Sequence, residues 1–324
     1  MEAKRVLQLL ADGEVQAAED VADHLGISVI QLLRHLDELD EYGLSVERSS
    51  GGGLHIPLGV ELLDAEIVME GMTEDARALL GELGVLWSTP STNADIARLP
   101  ALKEGARVIV AEHQSAGKGR RGKSWVSPIA CNIYLSVGWQ FERGVEVLEG
   151  LSLVVGVLVC DTLAQFGVSD LSLKWPNDVL RNKRKLAGVL IEVTGDPSGP
   201  CTAVIGLGVN VRVPVSAQAS IEQAWADLSD EQGVTPSRNT LIAAFLSRLL
   251  PTLVSYPDEG FGHWRERWMR LDANAGAKVR VLSQMDQCRY GVARGVDEHG
   301  ALVLQTEAGI EKVYGGEVSL RSAD

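Results

Sequence analysis

The stretch Gln114-Ser-Ala-Gly-Lys-Gly-Arg-Arg-Gly-Lys-Ser-Trp125 constrains this chain more than any other. Between Gly117 and Trp125 stand three glycines and four cations. Glycine lets a backbone approach a ligand closely and adopt positive φ. Successive exposed N–H groups in such a loop can cradle an anion. Gly117-x-Gly119-x-x-Gly122 has a dinucleotide-binding spacing, and Gly117-x-x-x-x-Gly122-Lys123-Ser124 has a P-loop spacing. Each pattern requires a helix directly after the glycines, with its N-terminus at the phosphates. Here Trp125-Val-Ser-Pro128 follows. Proline disfavours helical geometry at the residue before it and lacks an N–H. Ala106–His113 before the loop and Asn132–Trp139 after it read as β-branched, partly alternating strands. The loop therefore joins two strands, which argues against both nucleotide folds. A solvated basic hairpin tip is the plainer alternative; this density of glycine and positive charge points instead to an anionic ligand.

The rest of the chain is acidic. Its 324 residues carry a formal net charge of -14, which argues against a generally basic nucleic-acid binder. Positive charge is nevertheless clustered, in Lys118–Lys123 and in Arg181–Lys185. Cys131, Cys160, Cys201 and Cys288 show no CxxC spacing and read as reduced thiols of a cytoplasmic protein. Six scattered histidines, without HxH or HExxH, predict no protein-ligated metal. The start of the chain lacks the apolar region of a signal peptide. The run Leu151–Cys160 is too short to span a bilayer, so no membrane association is expected.

Three regions are expected, with boundaries at 1–66, 67–271 and 272–324. In the first, Val6 to Leu10 and Ala17 to Leu25 recur at helical spacing. Gly26-Ile-Ser28 makes a turn, with Ser28 a credible N-cap, and Ile30 to Leu39 continues on a further helix. This resembles a helix-turn-helix, and Leu44–Ile56, with Gly51 to Gly53 at or beside a tip, resembles the wing of a winged helix. Four cations, Lys4, Arg5, Arg34 and Arg48, stand here against fourteen carboxylates. Phosphate neutralisation supplies most non-specific DNA affinity. The shape therefore points to DNA and the charge against it; a DNA reader and an interaction module both stay open.

In the second region, Leu86–Ala97 reads as a strand passing into a helix. Three polar residues, Ser91, Thr92 and Asn93, stand where capping needs one. Leu148–Phe166 reads as a buried helix. Leu171–Leu180 is a strand ended at Pro176, and Leu186–Glu192 and Thr202–Val211 are further strands. The third region holds short strands at Ala277–Leu282, Tyr290–Gly295, Ala301–Gln305, Glu311–Tyr314 and Glu317–Leu320, which a small barrel of the SH3-like kind would close.

Ser91-Thr-Asn93, Gln114-x-x-Gly-Lys-Gly-Arg-Arg-Gly122, Lys174-Trp-Pro-Asn-Asp178, Arg184-Lys-Leu-Ala-Gly188 and Gly206-x-Gly-x-Asn210 occur in this order. As a set, across essentially the whole chain, they resemble the biotin protein ligases. The three-part layout is similar to the bifunctional bacterial form, which also represses biotin synthesis. The resemblance implies an α+β architecture: an N-terminal winged helix-turn-helix, a central mixed sheet of the biotinyl/lipoyl ligase and class II synthetase kind, and a C-terminal SH3-like barrel. It implies two steps. Biotin attacks the α-phosphate of ATP, giving biotinyl-5′-AMP and pyrophosphate, and a lysine of the biotin carboxyl carrier protein then attacks that anhydride.

By the same resemblance, Lys185 and Arg120 are the catalytic residues. Biotin is expected at Ser91, Thr92, Asn93, Gln114, Gly117, Lys118, Gly119, Arg120 and Lys185. The nucleotide is expected at Arg120, Arg121, Lys174, Asn177, Asp178, Lys185, Asn210 and Trp225. Mg²⁺ would be held mainly by phosphates and water. Lys118 stands where relatives carry arginine. Operator DNA, reached through Lys4, Arg5, Arg34 and Arg48, and a homodimer complete the implied partners. A lipoate or octanoate ligase of the same fold and a non-catalytic metabolite-sensing transcription factor are the alternatives.

Overall fold

Leucines, valines and alanines at three- and four-residue spacing give the N-terminal helices one buried face each. The computed structural model describes residues 2–49, 51–100, 102, 104–195, 199–229, 233–282, 288–315 and 319–322. Helices α1 (Glu2–Leu10), α2 (Ala18–Leu25) and α3 (Val29–Glu41) pack around Val6, Leu7, Val21, Leu32 and Leu36. Helix α2 stops at Gly26, whose φ of 70° is left-handed. Helix α3 starts in a capping box: Ser28 accepts from the Gln31 N–H, and Gln31 Oε1 accepts from the Ser28 N–H at 2.9 Å. Strands β1 (Gln16–Ala17), β2 (Glu47–Arg48) and β3 (Gly53–His55) pair in the order β1-β3-β2.

A seven-stranded sheet lies at the centre, in the order β4-β5-β6-β10-β9-β8-β7. Its strands are β4 (Leu80–Thr89), β5 (Ala106–Gln114), β6 (Ile133–Phe141), β7 (Leu171–Lys174), β8 (Asp178–Arg181), β9 (Arg184–Gly195) and β10 (Cys201–Val209). Only the β4–β5 pair is parallel, so the sheet is mixed. Strand alternation decides what each face receives. Val108, Val110, Leu135, Val137, Ile205 and Leu207 face α7 (Leu151–Gln165) and α9 (Arg238–Glu259) in the main core. Their neighbours Ile109 and Val204 face α6 (Thr92–Arg98) through Ile96. Gly188 of β9 and Gly206 and Gly208 of β10 fall on this second face, with Gly206 against Asn93 of α6.

The remaining helices are α4 (Ala65–Gly71), α5 (Glu74–Ala78), α8 (Val215–Gln218) and α10 (Arg265–Leu271). The helix expected over Leu148–Phe166 spans Leu151–Gln165, behind a 3₁₀ turn at Val145–Leu148. Segments 145–165 and 238–259 are in fact long and apolar enough to cross a bilayer. The shorter sequence estimate counted only the apolar run inside the first. Both place most of their apolar residues in the core, with Val145 and Val254 exposed.

At the C-terminal end, β11 (Lys278–Leu282), β12 (Cys288–Val296), β13 (Leu302–Thr306), β14 (Gly309–Val313) and β15 (Ser319–Ser322) form an antiparallel sheet in the order β14-β13-β12-β11-β15. Glu317 and Val318, expected at the start of the last strand, lie outside the described residues. This sheet docks through the Trp175 Nε1–H, which donates to the Gly300 carbonyl at 3.0 Å.

The N-terminal unit sits on the segment that follows the glycine loop. Ile129, Ala130 and Cys131 belong to its core, and the Ile129 N–H donates to the Tyr42 carbonyl at 2.9 Å. The Tyr42 ring packs on His113, with centroids 4.6 Å apart. Burial there pushes the His113 imidazole below its ordinary pKa.

Candidate active site

The glycine loop is a tight hairpin between β5 and β6. The Gly119 N–H donates to the Lys123 carbonyl at 2.7 Å, and the Trp125 N–H to the Gly117 carbonyl at 2.8 Å. Arg121 turns the chain at a φ of 59°, an uncommon conformation for a side chain with a Cβ. The hairpin is neither a P-loop nor a dinucleotide turn, because a strand and not a helix follows it. Nor is it a bare solvated tip: it forms one wall of a cleft.

That cleft holds about 1080 Å³ between its walls, open to solvent. Its floor is the second face of the sheet. Gly206, Gly208 and Gly188 lie there, with Gly208 directly opposite Gly188 across the β10–β9 pair. A Cβ at Gly208 would meet Trp125 Cε2 at 2.5 Å, and one at Gly206 would collide with the Asn93 amide. These glycines let side chains lie flat on the strands.

One end of the cleft is the start of α6. Ser91 caps the helix. Gln114 Oε1 accepts from the Thr92 N–H at 3.0 Å and lies 3.2 Å from Thr92 Oγ1. Gln114 Nε2 donates to Ser127 Oγ at 3.3 Å. Asn93 donates to Glu192 Oε2 at 2.7 Å. The other end lies over β8 and β9. Lys185 Nζ pairs with Asp178 Oδ1 at 2.8 Å and sits 5.3 Å from the Trp125 ring centre. Arg120 reaches across from the hairpin and donates to Asn177 Oδ1 at 3.4 Å. Asn177 Nδ2 is anchored on the Val189 carbonyl at 2.8 Å. Trp125 lies between the two ends.

Among the described residues lining the cleft, six are cationic: Lys118, Arg120, Arg121, Lys123, Lys174 and Lys185. Asp178 is the one carboxylate. In a chain of net charge -14 this concentrates positive potential at one concave site, which attracts and holds anions.

The structure gathers most of the expected residues here: Ser91, Thr92, Asn93, Gln114, Lys118, Gly119, Arg120, Arg121, Lys174, Asn177, Asp178 and Lys185. Three stand outside the lining. Gly117 is buried at the base of the hairpin, where a Cβ would meet the Trp125 carbonyl at 2.7 Å. Asn210 donates to the Ala226 carbonyl at 3.1 Å and so fastens the 224–226 segment to the sheet. Trp225 bridges to Lys185 in that same segment, through the Ala224 carbonyl and the Ala226 N–H. The last two act behind Lys185, fixing its backbone from both sides. Trp125, Ser127, Ser136, Glu192, Gln223 and Leu320 were not anticipated. Trp125 alone carried a signal, as the aromatic residue closing the glycine loop.

Of the DNA candidates, Lys4, Arg34 and Arg48 are exposed, while Arg5 pairs with Glu2 at 2.9 Å.

Residues 85–210 match the biotin/lipoate A/B protein ligase family, and residues 276–321 match the biotin protein ligase C-terminal domain. The chain is 36% identical over 321 residues to the bifunctional ligase/repressor BirA of Escherichia coli strain K12, covering 99% of this chain and 97% of that protein. It is 32% identical over 248 residues to the biotin–[acetyl-CoA-carboxylase] ligase of Mycobacterium tuberculosis, covering 73% and 88%. The biotin protein ligase of Aquifex aeolicus, solved in complex with biotin and ATP, superposes with a TM-score of 0.63 at 27% identity, over 75% of this chain and 100% of that one. On fold, cleft and sequence together, the chain belongs to the biotin protein ligase family.

Proposed function

We propose that the chain activates biotin with ATP to biotinyl-5′-AMP and transfers the biotinyl group to a lysine of the biotin carboxyl carrier protein. The observation that carries this reading is one cleft with two chemically distinct ends. The Thr92–Gln114 end offers neutral donors and acceptors, suited to a cyclic urea. The Lys185–Arg120 end concentrates cations, suited to a carboxylate and phosphates. Between them, the Trp125 ring lies on the glycine floor and gives the cleft a flat apolar surface.

When the biotin carboxylate attacks the α-phosphate, negative charge grows on the phosphoryl oxygens. Lys185 and Arg120 stand ready to stabilise it, and the cost of orienting them is met in the fold. Arg121 and Lys123 add positive potential, and Asn177 and Asp178 hold Arg120 and Lys185 in place. In the second step the carrier amine attacks the acyl carbon and AMP leaves, its charge held by the same cations. No cluster of three or more metal-binding side chains occurs among the described residues. A magnesium ion brought by ATP would be held by phosphates and water, with Asp178 the one carboxylate among the described residues of the lining.

The test is mass spectrometry of a carrier domain incubated with the protein, ATP and biotin. A single biotinyl addition on lysine is expected. Modification by lipoate or octanoate in place of biotin would move the chain to the sister activity.

Residues 1–66 are read as a winged helix-turn-helix, 67–271 as the catalytic domain and 272–324 as an SH3-like barrel. The protein is read as a cytoplasmic homodimer that binds operator DNA. The distribution of charge along α3 supports DNA recognition more than its total does. Residues 29–35 carry no carboxylate; Asp37, Glu38, Asp40 and Glu41 all lie in its second half. Recognition helices present their N-terminal residues to base edges, so Arg34 sits at the reading end and the acids sit away from it. With four cations per module, a dimer neutralises few phosphates. The salt slope should be no steeper than about −7, at about −0.9 per phosphate. A gel shift on DNA upstream of the organism's biotin genes is expected at low salt with biotin and ATP present. Absence of any shift, from protein that still modifies its carrier, would leave this module as an interaction domain.

A further inference from the structure

Behind Thr92 runs a chain of polar groups, buried at Thr92, Ser136 and Asn93 and reaching the exposed Glu192, with no direct place in the reaction. It links Thr92, Ser136, Asn93 and Glu192. Ser136 is fully buried, and its Oγ lies 2.6 Å from Asn93 Oδ1 and 2.7 Å from Thr92 Oγ1. Asn93 Nδ2 donates to Glu192 Oε2 at 2.7 Å and lies 3.4 Å from the Leu190 carbonyl. We infer that Glu192, Asn93 and Ser136 are positioning residues that fix the hydroxyl hydrogen of Thr92 inward, so that Thr92 offers only an acceptor to the ligand ring.

Glu192, when ionised, and a backbone carbonyl can only accept. They force the NH₂ of Asn93 toward β9, which leaves Oδ1, a pure acceptor, facing Ser136. Ser136 has one hydroxyl hydrogen, and Oδ1 takes it. The Ser136 oxygen can then only accept from Thr92. The Thr92 hydrogen points to Ser136 or, over the longer 3.2 Å, to Gln114 Oε1; both lie in the protein wall. The oxygen of Thr92 faces the cleft with lone pairs alone. Gln114 is polarised the same way: its Oε1 takes the Thr92 N–H, which leaves Nε2 as the donor, with one hydrogen on Ser127 Oγ and the second for the ligand.

An acceptor beside a donor matches the N–H and C=O of a cyclic urea, in that order. It repels a ring that carries oxygen in place of the N–H. Rejection of a ligand that lacks a required hydrogen is the stronger form of selectivity, because the site's polar group is left unpaired. The inference rests on biotin occupying this end of the cleft.

The test compares biotin with its cyclic carbamate analogue, in which one ring N–H is replaced by oxygen, by calorimetry. Wild-type protein should prefer biotin by about a hundredfold or more. In Ser136→Ala the Thr92 hydroxyl is free to rotate and donate, and the preference should fall to about tenfold. In Glu192→Gln, an exposed change that does not threaten folding, it should fall by at least about threefold. ATP affinity should not move in either variant. A merely structural role would weaken both ring ligands equally and leave the ratio intact. If wild-type protein binds biotin and either variant keeps the wild-type ratio, the relay is overturned. If wild-type protein binds lipoate and not biotin, the reading beneath it falls as well.

Discussion

Lys185→Ala is expected to slow biotin-dependent ATP–pyrophosphate exchange by about a hundredfold or more, and Lys183→Ala by no more than about twofold. The two lysines stand two residues apart in one basic run, yet the fold treats them oppositely. Lys183 is an exposed turn residue at a φ of 61°. Lys185 is in β9, and its ammonium lies in the cleft between Asp178 and the Trp125 ring. A charge contact made in the transition state is worth about 3 kcal/mol, roughly a hundredfold in rate, whereas an exposed surface change stays within about 0.5 kcal/mol. Exchange measured at saturating biotin and ATP isolates the chemical step. Equal, mild losses in the two variants would reduce the run to a solvated face.

Arg238→Ala is expected to destabilise the protein by about 3–5 kcal/mol, the usual cost of orphaning a buried charge. Arg238 and Glu112 are each 3% exposed and lie 2.8 Å apart. That contact is an ion pair without an aligned hydrogen bond to Glu112 Oε2. Glu112 Oε1 accepts from the Leu63 N–H at 2.5 Å, and the Arg238 guanidinium donates to the carbonyls of Asn132, at 3.0 Å, and Glu61. The network therefore straps the 61–64 segment to β5 and to the start of α9. Urea unfolding checks the magnitude. Limited proteolysis should show faster cleavage between residues 57 and 64 in the variant. A loss below about 1 kcal/mol, with the segment still protected, would mean that water replaces the guanidinium. Replacing both partners, as Glu112→Gln with Arg238→Met, should cost less than the single change, because neither leaves a lone charge.

Much of the catalytic end could be read from local order along the chain. Pro128 and the β-branched run after it exclude a helix behind the glycine loop. Strand β9 takes Lys185 out of the turn that holds Lys183, and an irregularity in the β8–β9 register between Ala187 and Lys185 sets its face. A polar triplet at the start of a helix exceeds what capping needs. Each of these is a short-range constraint, set by backbone sterics or by strand period, so a single segment contains it.

The rest depended on which segments meet. Ser136 becomes part of the site because β6 pairs with β10 and sets it opposite Gly206. Glu192 matters because α6 crosses the same face. The resemblance implies a place at the nucleotide for Asn210 and Trp225, and packing sets both behind Lys185, outside the cleft lining. Arg238 gave no local sign of a buried pair with Glu112, since the partners are far apart in sequence and each reads alone as a surface charge. The total charge of residues 1–66 hides a distribution: composition sums α3 over all its turns, while its carboxylates lie in the second half. Sequence by itself determined the strand–hairpin–strand around the glycines and the identity of the cations that line the cleft. Tertiary structure alone decided which polar groups pair in the dry interior, because a hydrogen bond or ion pair is worth most where water is excluded, and exclusion is a property of the packed whole.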